Sequence, residues 1–252
     1  MNFENQGNPI AIIKTTKTKK TPVLSVDDKK VAQHSFNEYT LTGEDKFQPV
    51  PNPLTERQIL YITGSSGSGK SFFCKMYCDE FKKLYPKRDV YLFSSINDDS
   101  SIDKVKGLKR IKLSDDFLKD ELKAEDFANS LVIFDDVDCL TDKKMKLKVQ
   151  AVLNSILETG RHYNVYCLYT SHLPCAGNDT KRILNEAHSI TFFPHSLGGR
   201  SLKYLLESYL GLDKAQIKKI KGLSSRWVSV MKTYPQVVIS EKEVYAISHK
   251  DD

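Results

Sequence analysis

The sequence predicts an α/β fold: a mostly parallel central sheet with helices on both faces, and antiparallel strands at the C-terminal edge. Three observations carry this. Apolar runs of strand length alternate with helix-length amphipathic segments from about residue 59 to about residue 192. Two of those runs, DVYLFSSI (89–96) and SLVIFDDVD (130–138), are almost continuously apolar, as strands buried on both faces are. The chain closes on RWVSVMKTYPQVVISEKEVYAI, which reads as two or three short strands with tight turns.

Taken in order, residues 1–50 look unlike the rest and are expected to form a basic, partly flexible arm. KTTKTKK (14–20) packs four lysines with no acid, and only NPIAII and TPVLSV read as short strands. The globular domain is expected over residues 51–252. Its first strand is RQILYIT, followed by a glycine-rich loop and a helix over about 70–84 that Pro86 ends. DVYLFSSI is the next strand, LKRIKL (108–113) a short one, and SDDFLKDEL opens a helix with Ser114 at its N-cap. After SLVIFDDVD comes a helix over about 143–159, stopped by Gly160. NVYCLYTS and SITFFP are strands with the helix DTKRILNEA between them, and two helices follow at about 199–210 and 213–221.

The 252 residues suit one large domain with an arm, and a formal charge of +6 permits contact with a polyanion. No stretch approaches the roughly 18 apolar residues of a membrane span, and no signal-peptide pattern opens the chain. The five cysteines form no C-x-x-C pair, and their odd number fits a reducing, intracellular setting. Cys74 and Cys78, four apart on a helix, read as ordinary buried thiols before they read as metal ligands.

The chemistry lies in GSSGSGKS (64–71), which matches G-x-x-x-x-G-K-[ST]. Glycines let consecutive backbone N–H groups face inward around phosphate, and the helix that starts at Lys70 adds the positive end of its dipole. Gly64, Ser65, Ser66, Gly67, Ser68, Gly69, Lys70, Ser71 and Phe72 are therefore the expected nucleotide-binding residues. Lys70 is expected to reach the β and γ phosphates, and the Ser71 hydroxyl to bind Mg2+. The acids after LVIF supply what hydrolysis needs: Asp135 to hold Mg2+, Asp136 to orient the attacking water. Asp138 reads as part of the turn. In GRHYNVYCLYTSH (160–172), Arg161 is a candidate arginine finger, with Arg182 and Arg200 as others. The polar strand end Thr170, Ser171 and His172 is a candidate γ-phosphate sensor.

GSSGSGKS, LVIFDD, GRHYNVYCLYTSH and KRILNEAHSITFFP, in this order, resemble the FtsK–HerA superfamily of P-loop ATPases. The resemblance spans about residues 55–195. It is strongest to the genome-packaging ATPases of large DNA viruses, of the poxvirus and virophage types. It implies a ring motor, a pentamer or hexamer, that hydrolyses ATP with Mg2+ to drive double-stranded DNA into a preformed capsid. It also implies a capsid or membrane protein as docking partner, and a site in the host cytoplasm or the virion. The implied roles are Lys70 and Ser71 on ATP and Mg2+, Asp135 and Asp136 as metal and catalytic acids, and Arg161 as the finger. Two positions depart from the usual pattern: the second acid is commonly glutamate, and the sensor commonly glutamine.

Lysine runs at 143–148 (Lys143, Lys144, Lys146, Lys148) and 214–221 (Lys214, Lys218, Lys219, Lys221) could grip a phosphate backbone. The competing reading is a nucleoside or nucleotide kinase. Against it stand sparse arginines, with no compact arginine-rich lid, and the adjacent acids. A switch GTPase lacks its N-K-x-D signature here, and a helicase loader would need a helical lid where strands are expected.

Overall fold

The computed structural model describes residues 1–15, 21–27 and 38–247. The KTTKTKK run lies mostly outside them. The chain divides into two compact units, Thr55–Ala187 and a second made of Met1–Leu54 with His188–Asp252.

The Thr55–Ala187 unit is a five-stranded parallel sheet with the order β5-β9-β8-β6-β7. These strands are β5 (Ile59–Thr63), β6 (Val90–Ser94), β7 (Leu108–Arg110), β8 (Leu131–Asp135) and β9 (Tyr166–Ser171). Every residue of β5, β8 and β9 is buried, as the continuous apolar runs require. Aromatic side chains fill the space between strands: Phe93 stacks on Phe134 at 5.0 Å and Tyr61 on Tyr169 at 5.8 Å. The helices are α1 (Lys70–Leu84), α2 (Asp115–Lys119), α3 (Lys143–Thr159) and α4 (Asn178–Glu186). Each lies where the sequence pattern places it.

A buried arginine ends α3. Arg57 donates to the Ile156 carbonyl and, at 2.8 Å, to that of Leu157. A cation at this end satisfies orphan carbonyls and complements the helix dipole. Gly160 is required here for space. A side chain on it would run into the Ile156 carbonyl oxygen and crowd Arg57. Arg57→Met should therefore lower unfolding free energy by about 1–3 kcal/mol, since it strands the buried Leu157 carbonyl, while that of Ile156 keeps the Gly160 N–H. Urea unfolding of the two proteins measures this, and an unchanged midpoint would rule it out.

The second unit is antiparallel. β10 (Ser189–Phe192), β11 (Val228–Met231), β12 (Val237–Ser240) and β13 (Glu243–Ala246) form a meander, and β3 (Tyr39–Thr40) pairs with β13. β11, β12 and β13 are the expected C-terminal antiparallel strands, and β10 and β3 join them. Where a basic arm is expected, β1 (Asn8–Lys14), β2 (Val23–Val26) and β4 (Lys46–Pro49) build a three-stranded sheet. NPIAII and TPVLSV supply two of its strands. Its Ile10, Ala11, Leu24 and Phe47 are buried. The Lys242 ammonium fastens the approach to β4, donating to the carbonyls of Gly43 and Asp45. The unit's two helices are α5 (Gly199–Ser208) and α6 (Lys214–Lys221), the latter opened by a reciprocal Asp213/Gln216 cap.

Candidate functional site

In a parallel sheet all strands end on one edge. Here that edge is polar and buried on four neighbouring strands. Thr63, Ser171, Asp135 and Ser94 close β5, β9, β8 and β6, and the register sets Thr63 opposite Ser171 and Ser94 opposite Asp135. The glycine loop leaves β5 at this edge and is tied to β9, the Gly64 N–H donating to the Ser171 carbonyl at 3.1 Å. Gly67 and Gly69 take φ of 73° and 114°, values that a β-carbon makes costly, so these two glycines are required by the turn. No side chain caps α1, whose first N–H groups have no acceptor within the helix.

Lys70 is buried at 5 % exposure, and its ammonium has three neighbours. It donates to the Gly64 carbonyl at 3.0 Å, meets His172 Nδ1 at 3.4 Å and lies 3.6 Å from Asp136 Oδ1. His172 Nε2 is 2.9 Å from Asp136 Oδ2. A nitrogen that faces an ammonium must offer its lone pair, so the network assigns the His172 proton to Nε2, which donates to Asp136.

Asp135 and Asp136 share one hydroxyl. Thr170 Oγ1 lies 2.9 Å from Asp135 Oδ1 and 3.0 Å from Asp136 Oδ1, and accepts the Asp136 N–H at 2.9 Å. One hydrogen serves two carboxylates. Burial, and then the charge of Asp136, push the Asp135 carboxyl up to about 6. Asp136 itself has left-handed backbone at φ 48°, a conformation that aspartate and asparagine tolerate better than most residues. Asp138 accepts from the Ser171 hydroxyl at 2.6 Å, and the Tyr61 hydroxyl anchors the next loop through the Leu173 carbonyl at 2.8 Å.

Of the residues expected from sequence, Lys70, Asp135, Asp136, Thr170, Ser171 and His172 come together here, with Ser71 the second residue of α1. Ser65 and Ser68 are half-buried in the loop, and Ser66 is exposed with Gly67. Phe72 is 56 % exposed. Arg161 is not brought to the edge. It precedes β9, at the opposite end of the strands, and pairs with Glu56 at 3.0 Å, which precedes β5. The strand length between, six residues, is about 20 Å. Arg182 pairs with Glu158 on the surface, and Arg200 is exposed in the other unit. Cys74 and Cys78 are buried thiols whose burial raises their pKa, as expected of packing residues.

Asp99 was not among the expected residues. The loop after β6 brings its carboxylate into the neighbourhood of Ser71 at the start of α1. Burial pushes Asp99 up, but the N–H groups of Ile102 and Ser101, the Ser71 hydroxyl and Arg110 outweigh it and hold it below the usual carboxylate range. The one sequence signal was a polar run, SSINDDS, at a strand's C-terminal end.

The donor set fits nucleotide phosphates with a magnesium ion. An ammonium, a glycine loop and a helix start suit the phosphates, and Ser71 with Asp135 suits the cation. Among the described residues no three His, Cys, Asp or Glu side chains are arranged to hold a metal alone. Magnesium takes one or two carboxylates and fills its other positions with phosphate and water.

Over 201 residues the chain is 42% identical to "Uncharacterized protein V3" of Sputnik virophage, a match covering 79% of this chain and 80% of that one. The chain belongs to the family of that virophage protein. No protein-family model matches it. Among solved structures, the V3-family chain is similar to the genome packaging NTPase B204 of Sulfolobus turreted icosahedral virus 2 in complex with ATP-gammaS. Identity is 14%, the TM-score 0.48, and the match covers 74% of this chain and 98% of that one. It is also similar to the pCW3 conjugation coupling protein TcpA, at 12% identity and a TM-score of 0.45, covering 96% of this chain and 78% of that one. EssC from Geobacillus thermodenitrificans matches at 11% identity and a TM-score of 0.47, covering all of this chain and 47% of that one. The fold of this chain is α/β, with a mixed sheet that is parallel through Thr55–Ala187 and antiparallel toward the C-terminus.

Proposed function

We propose that this V3-family protein is an Mg2+-dependent ATPase of the FtsK–HerA superfamily that moves double-stranded DNA, packaging a viral genome into a preformed capsid. The observation that carries the ATPase reading is the Lys70–His172–Asp136 network, around a buried Lys70, at the mouth of the glycine loop. The loop N–H groups and Lys70 bind the β and γ phosphates. Ser71 and Asp135 hold the cation, which when bound neutralises phosphate charge. Asp136 orients the attacking water and takes its proton, with His172 holding the carboxylate in place. Thr170 couples the two acids, so the strand end can register whether phosphate is present.

The DNA-motor reading is supported by the order of the motifs and by kinship with a virophage protein. A homo-oligomeric ring, pentameric or hexameric, follows from it, with a capsid or membrane protein at the packaging vertex as docking partner. The host cytoplasm, at sites of virus assembly, is the matching location. No helix among the described residues is long and apolar enough to cross a membrane. Arg161 lies at the far end of its own strands, so as a finger it would act on a neighbouring subunit's site. On the two lysine runs, Lys143 and Lys144 are exposed, whereas Lys146 pairs with Asp179 at 2.7 Å. On α6, Lys214, Lys218 and Lys221 are exposed, and Lys219 pairs with Glu38 at 2.6 Å. Lys143, Lys144, Lys214 and Lys218 are thus the better candidates for gripping phosphates.

The test is phosphate release from ATP with and without double-stranded DNA, with Lys70→Ala as control. DNA-stimulated release that the control lacks supports the motor. Transfer to a nucleoside acceptor, with no free phosphate, would favour a kinase. Phosphate-gripping also predicts salt sensitivity: DNA affinity should fall by about 10³ or more between 50 and 200 mM salt if six or more phosphates are held. Affinity that stays level across that range would overturn a phosphate-gripping role.

A further inference from the structure

We propose that Asp138 is a positioning residue of the nucleotide site: it takes the hydrogen of the Ser171 hydroxyl and so pins the turn that carries Asp136 to the end of β9. The inference deepens the ATPase reading and rests on it. Asp136 leaves β8 with left-handed backbone and opens a single tight turn, Val137–Cys139. A residue other than glycine keeps that conformation only where its surroundings hold it. Within the turn, the Cys139 N–H donates to the Asp136 carbonyl at 3.0 Å and the Leu140 N–H to that of Val137 at 3.3 Å. The rest of the hold comes from outside.

Two consecutive residues of β9 grip the turn. Thr170 Oγ1 accepts the Asp136 N–H at 2.9 Å, and Ser171 Oγ donates to Asp138 Oδ2 at 2.6 Å. Successive strand residues point to opposite faces, so the two grips lie on different sides of β9 and the turn cannot pivot about either. The Ser171 hydrogen has a second acceptor in reach, the Leu173 carbonyl at 2.9 Å. The carboxylate is nearer and charged, and that carbonyl already receives the Tyr61 hydroxyl at 2.8 Å. The Leu173 N–H donates to the Ser171 oxygen at 3.2 Å, which occupies a lone pair and leaves the hydrogen for Asp138. Lys146 holds the main chain of the same residue, donating to the Asp138 carbonyl at 3.2 Å while it pairs with Asp179 at 2.7 Å. Ser171 is fully buried, and its own carbonyl accepts the Gly64 N–H at 3.1 Å. One strand end thus fixes the glycine loop and the acid turn to each other, and keeps the Asp136 carboxylate beside Lys70 and His172. Misplacing a reacting group by about 1 Å can cost on the order of a hundredfold in rate.

The experiment measures phosphate release from ATP by the full chain, with and without double-stranded DNA, and the affinity for a fluorescent, slowly hydrolysed ATP analogue. Asp138→Ala should lower kcat by about tenfold to a hundredfold and leave the analogue's affinity unchanged. Asp138→Asn, which still offers Ser171 an oxygen, should keep most of the rate. Ser171→Ala should match Asp138→Ala, and the double variant should be no slower than either, because both remove one shared contact. In Asp136→Asn, the further change Asp138→Ala should leave single-turnover cleavage where it is, because the group it positions is gone. An unaltered kcat in Asp138→Ala, losses that multiply in the double variant, or nucleotide binding lost in step with the rate would overturn the proposal while leaving the ATPase reading standing. No hydrolysis of ATP by the unaltered protein in either condition would overturn both.

Discussion

Asp136→Asn is expected to bind ATP and to lose its hydrolysis, with kcat falling about a hundredfold to ten-thousandfold. The side chains are nearly the same size, and asparagine accepts left-handed backbone as readily as aspartate, so the φ of 48° at this position is preserved. What goes is the negative charge and the capacity to take a proton. His172 would still find an acceptor in the amide oxygen, so the local geometry is kept while the base is removed. Phosphate release and ATP binding measured on the same preparation decide it. Turnover close to that of the unaltered protein would show that Asp136 is not the base.

Asp135→Asn should make the cation-free protein more stable at pH 8, by about 2–3 kcal/mol, while abolishing activity. The cause is that burial, with the charge of Asp136 behind it, pushes the folded carboxyl up to about 6. A folded pKa above the unfolded one means that ionisation opposes folding. The stability that Asp135 contributes is full below its unfolded value near 3.9, and is lost as pH rises through 6. About two pKa units correspond to about 3 kcal/mol, less whatever the Thr170 hydrogen bond loses on moving to an amide. The gain from asparagine should shrink toward zero by pH 4, where the folded carboxyl is already protonated. Urea unfolding in EDTA at the two pH values tests both size and sign. A gain equal at pH 4 and pH 8 would mean that ionisation is not its source. Stability held back at a functional acid in this way is a usual cost of function.

The parts legible in the sequence are those that short-range chemistry dictates. Gly67 and Gly69 had to be glycine because the turn needs positive φ, and the LVIF run had to be a buried strand because it has no polar face. Together they put Lys70 and the acid pair at one sheet edge. For Arg161 the position was legible: a residue just before a strand of a parallel sheet stands at the end away from its own chain's ligands, which leaves only the role in trans proposed above. Arg57 was hidden for another reason. Its partners, the Ile156 and Leu157 carbonyls, are far from it in sequence, and no local pattern marks a pairing that only the packed fold creates. NPIAII and TPVLSV were legible as strands, but β4 and the pairing of all three into one sheet were not, the strands being short and separated by polar stretches.

Lys70 has a consequence for how strongly the pocket can hold its substrate. The ammonium already has a counter-ion in Asp136 at 3.6 Å. On the proposed ATPase reading, a phosphate that reaches Lys70 exchanges with a resident anion instead of filling an empty place. The same exchange releases Asp136 to face a water, so binding and arming would be one event, and a shorter phosphate chain would compete less well for the ammonium.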